Sequence, residues 1–208
     1  MRPMPGCGGG IVPHAHHTCK LQNDAAMLWA MARLSVLHTS DVDASTLSRV
    51  RTLLVNAFPP PEFTDDDWEH TLGGLHVLCH EDGRLIGHAA VVQRRLLHRG
   101  RALRAGYVEG VVVRAGHRRR GHGSAMMAQL ERVIRTAYDV GALNSSEMAK
   151  PFYTTRDWRP WLGSLAALTP TGIKRTTRPQ GVHILAGCRA PTDVRDLLVC
   201  DWRDGNPW

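Results

Sequence analysis

Residues 75 to 113 constrain this chain most. Leu75 to His80, Leu85 to Leu97 and Arg101 to Val113 read as extended runs, separated by Asp82-Gly83 and by Gly100. Asp-Gly between apolar runs marks a tight hairpin turn, because both central residues must take positive φ. The three runs therefore form an antiparallel meander. A helix from about Gly123 to Tyr138 follows, with Met126, Met127, Leu130, Val133, Ile134 and Ala137 on one face. A half-apolar sheet and a one-faced helix bury their apolar sides against each other, which requires a layered domain.

The flanking segments agree. Arg33 to His38 reads as a first strand. Asp43 or Ser45 can cap a helix carrying Leu47, Val50, Leu54 and Ala57, stopped by Pro59-Pro60-Pro61. Thr64-Asp65-Asp66-Asp67 is a capping box opening a short helix that ends before Gly73-Gly74. Gly141 reads as the stop of the long helix. A strand over Ala142 to Asn144, a helix over Glu147 to Arg156, and one or two tail strands including Val182 to Ala186 complete the order. The fold class is α/β (α+β): a central mixed, mostly antiparallel sheet with helices on both faces. The chain of 208 residues suits one such domain, over 32–208. Residues 1–31 read as a disordered extension, rich in glycine and without periodicity. Its His14, His16 and His17, with Cys7 and Cys19, could be imagined as metal ligands, but the glycines leave nothing to hold the geometry. The expectation is no metal.

Composition excludes several classes. The longest apolar run, Ala25 to Ala32, is far short of the ~20 residues that span a bilayer, so no membrane partner is expected. Five widely spaced cysteines without a C-x-x-C argue against a disulfide framework and for a reducing cytoplasm. The net charge of +7 is local: Arg94 to Arg120 holds nine arginines against Glu109. Nearby, Glu62, Asp65, Asp66, Asp67 and Glu69 occur without a base. One region should attract an anion and the other a cation.

The anion site reads from the residues themselves. Val111-Val112-Val113 leads through Arg114 into Arg118-Arg119-Arg120-Gly121-His122-Gly123, which opens the long helix. A strand-to-helix turn supplies free amides and the positive end of the helix dipole, as a diphosphate requires. The glycines remove Cβ atoms from the approach, the arginines add charge, and the valine strand offers backbone to an amide-rich arm. Neither the Walker nor the Rossmann spacing is met. The pattern R-x-x-G-x-G after a valine strand resembles the acetyl-CoA signature of the GNAT superfamily of N-acetyltransferases.

Two further residues stand out. Glu109 lies in a neutral strand between Gly106 and Gly110, where the glycines suggest a bulge or close backbone approach. A carboxylate there could take the proton that an amine must lose to attack a thioester. Tyr153 follows Ala149 to Phe152 and could protonate a departing thiolate. The bland readings are a solvated strand residue and a packed phenol. For Asp65 and Asp66, capping suffices.

From about Arg33 to Trp208 the chain resembles the mycobacterial-type aminoglycoside 2′-N-acetyltransferases. The resemblance rests on Asp67-Trp68-Glu69-His70-Thr71-Leu72-Gly73-Gly74, Gln93-Arg94-Arg95-Leu96, Gly106-Tyr107-Val108-Glu109-Gly110-Val111, Pro170-Thr171-Gly172, Cys200-Asp201-Trp202-Arg203 and Trp208. It implies acetyl transfer from acetyl-CoA to the 2′-amine of an aminoglycoside antibiotic, hence resistance, with direct transfer in a ternary complex. It implies substrate contacts from Glu62, Asp67, Glu109, Gly110, Asn144 and the Trp208 carboxylate. Glu109 becomes the base acting through water and Tyr153 the acid toward the coenzyme A thiolate. Val111 to Val113 and Arg118 to Gly123 become cofactor contacts, and a homodimer is implied. Asn144 stands where the family carries serine, Pro179-Gln180 where it is acidic, and Asn206 where it carries aspartate; these departures bear on drug preference. The alternatives are acetylation of an endogenous amine such as a cell-wall amino sugar, and an acetyl-CoA sensor without activity. A nucleic-acid-binding module is disfavoured, because the arginines lack interleaved aromatics.

Overall fold

The computed structural model describes residues 32–176, 181–189, 191 and 193–208. The extension with its histidines, and Pro179-Gln180, lie outside the described residues.

The three extended runs form the spine as β2 (Leu75–Glu81), β3 (Arg84–His98) and β4 (Arg101–Val113), all antiparallel. Both turns use positive φ: 50° and 72° at Asp82 and Gly83, 49° and 72° at Arg99 and Gly100. One edge of β3 is shared. Its first half pairs with β2 and its last residues with β10 (Leu198–Cys200). β1 (Arg33–His38) covers β2. Beyond β4, β5 (Val140–Asn144) runs parallel, followed by antiparallel β9 (Val182–Ala186) and then β6 (Arg159–Pro160). Beyond β10, β7 (Leu165–Thr169) runs parallel and β8 (Gly172–Arg175) closes as a hairpin with it. The tail thus holds more strands than its sequence suggests, and Cys200 is a buried strand residue rather than loose tail. Several of these strands are only two to five residues long, too short to show a period.

Helices cover both faces. α1 (Ala44–Ala57) is capped by Asp43, whose Oδ1 accepts from Thr46 N at 2.9 Å. α2 (Asp65–Glu69) opens with the expected capping box between Thr64 and Asp67. α3 (His122–Ala137) buries Met126, Met127, Leu130 and Ile134 against Val77, Ile86 and Val108. α1 buries Val50, Leu53 and Leu54 on the opposite face, against Leu78, Leu85 and Val112. Beside α1's layer, Tyr107, Val92, Trp161, Cys200 and Trp208 form a further cluster. Each such aliphatic side chain contributes ~1.5–3 kcal/mol of transfer free energy.

Gly141 does not stop the long helix. α3 ends at Ala137, Tyr138 is already extended, and Gly141 lies inside β5. A Cβ there would fall 2.9 Å from Ile134 and 3.0 Å from Leu185, so close helix–strand packing demands the glycine.

One irregularity positions everything that follows. His88 lies opposite Val112 and Ala90 opposite Glu109, so Gly110 and Val111 together face one residue of β3. This is a β-bulge, with Gly110 at φ 56°. It shifts the in–out alternation by one: Val108 packs beneath α3, whereas Val112 packs beneath α1.

Candidate active site

Parallel pairing between β4 and β5 covers Ala105–Tyr107 against Val140–Ala142 and ends there. Past that point no pairing joins Val108–Val113 to Leu143–Asn144 among the described residues, which leaves a wedge of unpaired β4 backbone. Arg114 N donates to Ile86 O at 2.8 Å. Alternation along the ladder then turns the Val112 amide toward β3 and the Val113 amide toward the wedge. Gly110 O points to His88, so planarity turns the Val111 amide toward the wedge as well. Val111 and Val113 can thus pair with an amide-bearing arm; Val112 cannot, and serves as core.

At the wide end of the wedge, β4 passes through a short 3₁₀ turn (Ala115–His117) into α3. Arg119 and Gly121 take left-handed φ of 60° and 84°. Gly121 is the N-cap and makes no side-chain cap bond. The first amides of α3, at His122 and Gly123, therefore lack the side-chain acceptor that Asp43 and Thr64 supply to α1 and α2. A diphosphate would fill that role. A Cβ on Gly123 would lie only 3.6 Å from Phe152 and 3.8 Å from Val113, so this turn closes on the wedge.

The three arginines are not equivalent, contrary to their reading as a single charge cluster. Arg120 donates to both oxygens of Glu81, at 3.2 and 2.8 Å, and His117 Nε2 lies 3.2 Å from the same carboxylate. Arg118 Nε donates to Val113 O at 3.0 Å. Glu81 ties the loop to the end of β2, while Arg119 stays exposed.

Glu109 and Tyr153 approach from different elements. Glu109 shares the Tyr107 face of β4, and its Oε1 accepts from Arg203 Nη1 at 2.6 Å. Burial pushes the Glu109 carboxyl up, Arg203 pulls it back, and Asp67 is near enough to push it up further. Arg203 also donates from Nε to Asn206 O at 3.0 Å, and its guanidinium lies 5.4 Å from the Tyr107 ring centre. Arg94 sits 4.8 Å from the same ring centre and binds Asp201 Oδ1 and Pro207 O. These two arginines clamp the carboxy-terminal segment over the Glu109 face. Trp208 is buried there, its indole donating to Thr176 Oγ1 at 3.1 Å. The buried Tyr107 hydroxyl has no hydrogen-bond partner among the described residues.

Tyr153 lies on α4 (Lys150–Thr154), packed against Phe152 and Trp158. The segment is anchored to α3 by Glu131, which accepts from Arg156 at 2.8 and 2.7 Å and from the Trp158 indole at 3.0 Å. Burial pushes the Tyr153 phenol up to about 12, so it is a protonated donor at any working pH.

A family model described as an acetyltransferase (GNAT) domain matches residues 39–161. The aminoglycoside 2′-N-acetyltransferase of Mycolicibacterium fortuitum is 46% identical over 180 residues, 83% of this chain and 90% of that protein. This chain belongs to that family of GNAT N-acetyltransferases. The acetyltransferase is also 37% identical over 87 residues to the glucosamine 6-phosphate N-acetyltransferase of Trypanosoma brucei brucei, covering 40% of this chain and 57% of that protein. An acyl-CoA N-acyltransferase structure from Pseudomonas aeruginosa shares the fold, with TM-score 0.56 at 14% identity, covering 75% of this chain and all of that one. The enzyme therefore takes an acyl-CoA and an amine. Among its described residues, no helix is long and apolar enough to cross a membrane.

The remaining site residues of this acetyltransferase are placed as follows. Asp67 is half-buried in the first turn of α2, with Oδ2 engaged by the Thr64 amide and hydroxyl. Glu62 is exposed on the loop before α2, and among the described contacts none joins it to Glu109. Asn144 ends β5, and its Oδ1 accepts from Gly181 N at 3.0 Å. Sequence reading missed Glu81, Arg94, Tyr107 and Arg203. Glu81 ends a strand and Arg203 sits in a polar tail, so only their distant partners reveal them.

Proposed function

We propose that this acetyltransferase moves the acetyl group of acetyl-CoA directly onto the 2′-amine of an aminoglycoside, in a ternary complex, and so inactivates the drug. The diphosphate rests on the first amides of α3 beside Arg118 and Arg119, with Arg120 and Glu81 bracing the loop. The pantetheine arm pairs with Val111 and Val113 along the wedge. The polycation lies against Asp67, Glu109, Glu62 and Gly110, between Asn144 and Trp208. Glu109 takes the ammonium proton through a water. The freed amine attacks the thioester carbonyl, the carbon–sulfur bond breaks, Tyr153 protonates the coenzyme A thiolate, and the second proton shed by the new amide nitrogen returns through solvent to the Tyr153 phenolate.

The observation that carries this reading is a part-buried carboxylate, Glu109, within electrostatic reach of Asp67, in a chain aligned over 90% of a curated enzyme of that name. Mass spectrometry of an aminoglycoside mixture incubated with enzyme and acetyl-CoA tests it, by locating the acetylated nitrogen. Acetylation at a position other than 2′, or none, rejects it.

A second reading, acetylation of an endogenous amino sugar, draws on the match to the trypanosomal enzyme. A phosphorylated sugar would meet the acidic wall unfavourably, which favours the polycation. Specificity constants for drugs and for amino-sugar phosphates separate the two.

A further inference from the structure

The bulge that carries Glu109 is held from behind by a buried chain of hydrogen bonds crossing three strands. Thr39 Oγ1 lies 2.8 Å from His76 Nε2. His76 Nδ1 lies 2.9 Å from His88 Nε2. His88 Nδ1 lies 2.8 Å from Gly110 O. Both histidines are fully buried, at 0% exposure.

The proton positions in this chain follow from its end. Gly110 O can only accept, so His88 Nδ1 carries the proton. In neutral His88, Nε2 then accepts, so His76 Nδ1 is the donor. His76 Nε2 must accept in turn, so the Thr39 hydroxyl gives its proton to it at 2.8 Å rather than to Gly74 O at 3.2 Å. Thr39 Oγ1 itself accepts from the amides of Gly73 and Gly74, at 2.9 and 3.2 Å. One direction of donation thus runs from the Gly73-Gly74 turn behind the acidic helix to the carbonyl beside the base. Neutrality suits both rings: burial brings His76 down to about 4 and His88 down to about 3. A proton on either would set donor against donor.

Gly110 sits at φ 56°, where a Cβ would lie 3.0 Å from Thr71 and 3.3 Å from His88. The peptide between Gly110 and Val111 could rotate if its carbonyl were released. Rotation would move Glu109 on one side and turn the Val111 amide from the wedge on the other.

We propose that His88, fixed in a single tautomer by His76 and Thr39, is the positioning residue that sets the Gly110–Val111 peptide for acetyl transfer. It touches neither substrate and acts through that peptide. The proposal rests on the reading of Glu109 and Val111 given above, and its test has an arm independent of that reading. In ¹⁵N NMR of the labelled full chain, both histidines should show a protonated Nδ1 and bare Nε2 from pH 8 to pH 5. A protonated Nε2 on His88 would overturn the proposal whatever the substrate.

The kinetic arm uses His88→Leu and His88→Asn. The leucine variant should lose roughly 10- to 100-fold in kcat, the scale of a small misplacement of reacting groups, with KM for acetyl-CoA within about threefold. Asparagine can place an amide donor where Nδ1 stood and should recover at least part of that loss. Far-UV circular dichroism and a melting curve check that both fold. If the leucine variant keeps wild-type kcat, or if asparagine is no better than leucine at equal stability, the positioning role is wrong. If the NMR arm holds while Glu109→Gln leaves kcat and its pH profile intact, the failure belongs to the proposed chemistry and not to the tautomer chain.

Discussion

Arg203 offers the sharpest test of Glu109 as the base. Its Nη1 lies 2.6 Å from Glu109 Oε1, with Arg203 and Glu109 only 14% and 17% exposed. For charge centres about 4 Å apart, a unit pair is worth about 4 kcal/mol at an effective dielectric of ~20. Solvent access and the hydrogen bond to Asn206, which Arg203 would keep in other rotamers, reduce what Glu109 gains. About half of that, roughly 1–2 pKa units, is the expected effect of removing the guanidinium. Burial already pushes Glu109 up, so losing Arg203 moves it further in the same direction. Arg203→Met keeps the apolar stem over Tyr107 and deletes the charge. The acidic limb of kcat/KM should then move to higher pH by about 1–2 units. Activity should fall on the acidic side of the profile, while activity on the alkaline side changes little. The assay is initial rate against pH, following thiol release. Arg203→Lys, which keeps a cation, should leave the limb near its original place. A uniform loss at every pH, with the limb unmoved, would refute the reasoning: Arg203 would then be a structural clamp, or Glu109 not the base.

Other outcomes follow from the same geometry. Tyr153→Phe should lower kcat by about 100-fold, the scale of one general acid, without moving the alkaline limb below about pH 11, since the phenol is held up at about 12. Gly121→Ala meets no atom within 4 Å but must hold φ 84°, so a loss of about 1 kcal/mol in denaturant unfolding is expected, together with weaker acetyl-CoA binding. His76 and His88 have depressed pKa values, so the unfolded chain takes up their protons first. Stability should fall as pH drops from about 6.5 toward 4, by up to ~1.4 kcal/mol per pH unit for each ring. Urea unfolding at pH 7, 6 and 5 measures this slope, and His76→Asn should flatten it.

Much was legible in the sequence because it is written locally. The meander followed from the φ demands of Asp82-Gly83 and Gly100, α3 from its apolar period, α2 from a capping box four residues long. The turn that opens α3 was legible for the same reason: its arginines, glycines and helix start are contiguous from Arg118 to Gly123. The reading failed where one residue serves a distant neighbour. Gly141 looks like a helix stop but makes room for Ile134 and Leu185. Arg120 looks like a phosphate ligand but is bound to Glu81, on another strand.

By itself, then, the sequence determined the meander, the long helix with the glycine-rich turn that opens it, and a carboxylate flanked by glycines. Only the tertiary structure decided what surrounds that carboxylate. Arg203 reaches it from 94 residues away in sequence, and His88 grips its bulge from a neighbouring strand. The reason is physical: periodicity and capping act through bonds a few residues apart, whereas burial and Coulomb partners depend on which strands lie side by side. Those distant contacts shift the protonation of Glu109: burial pushes its carboxyl up and Arg203 pulls it back.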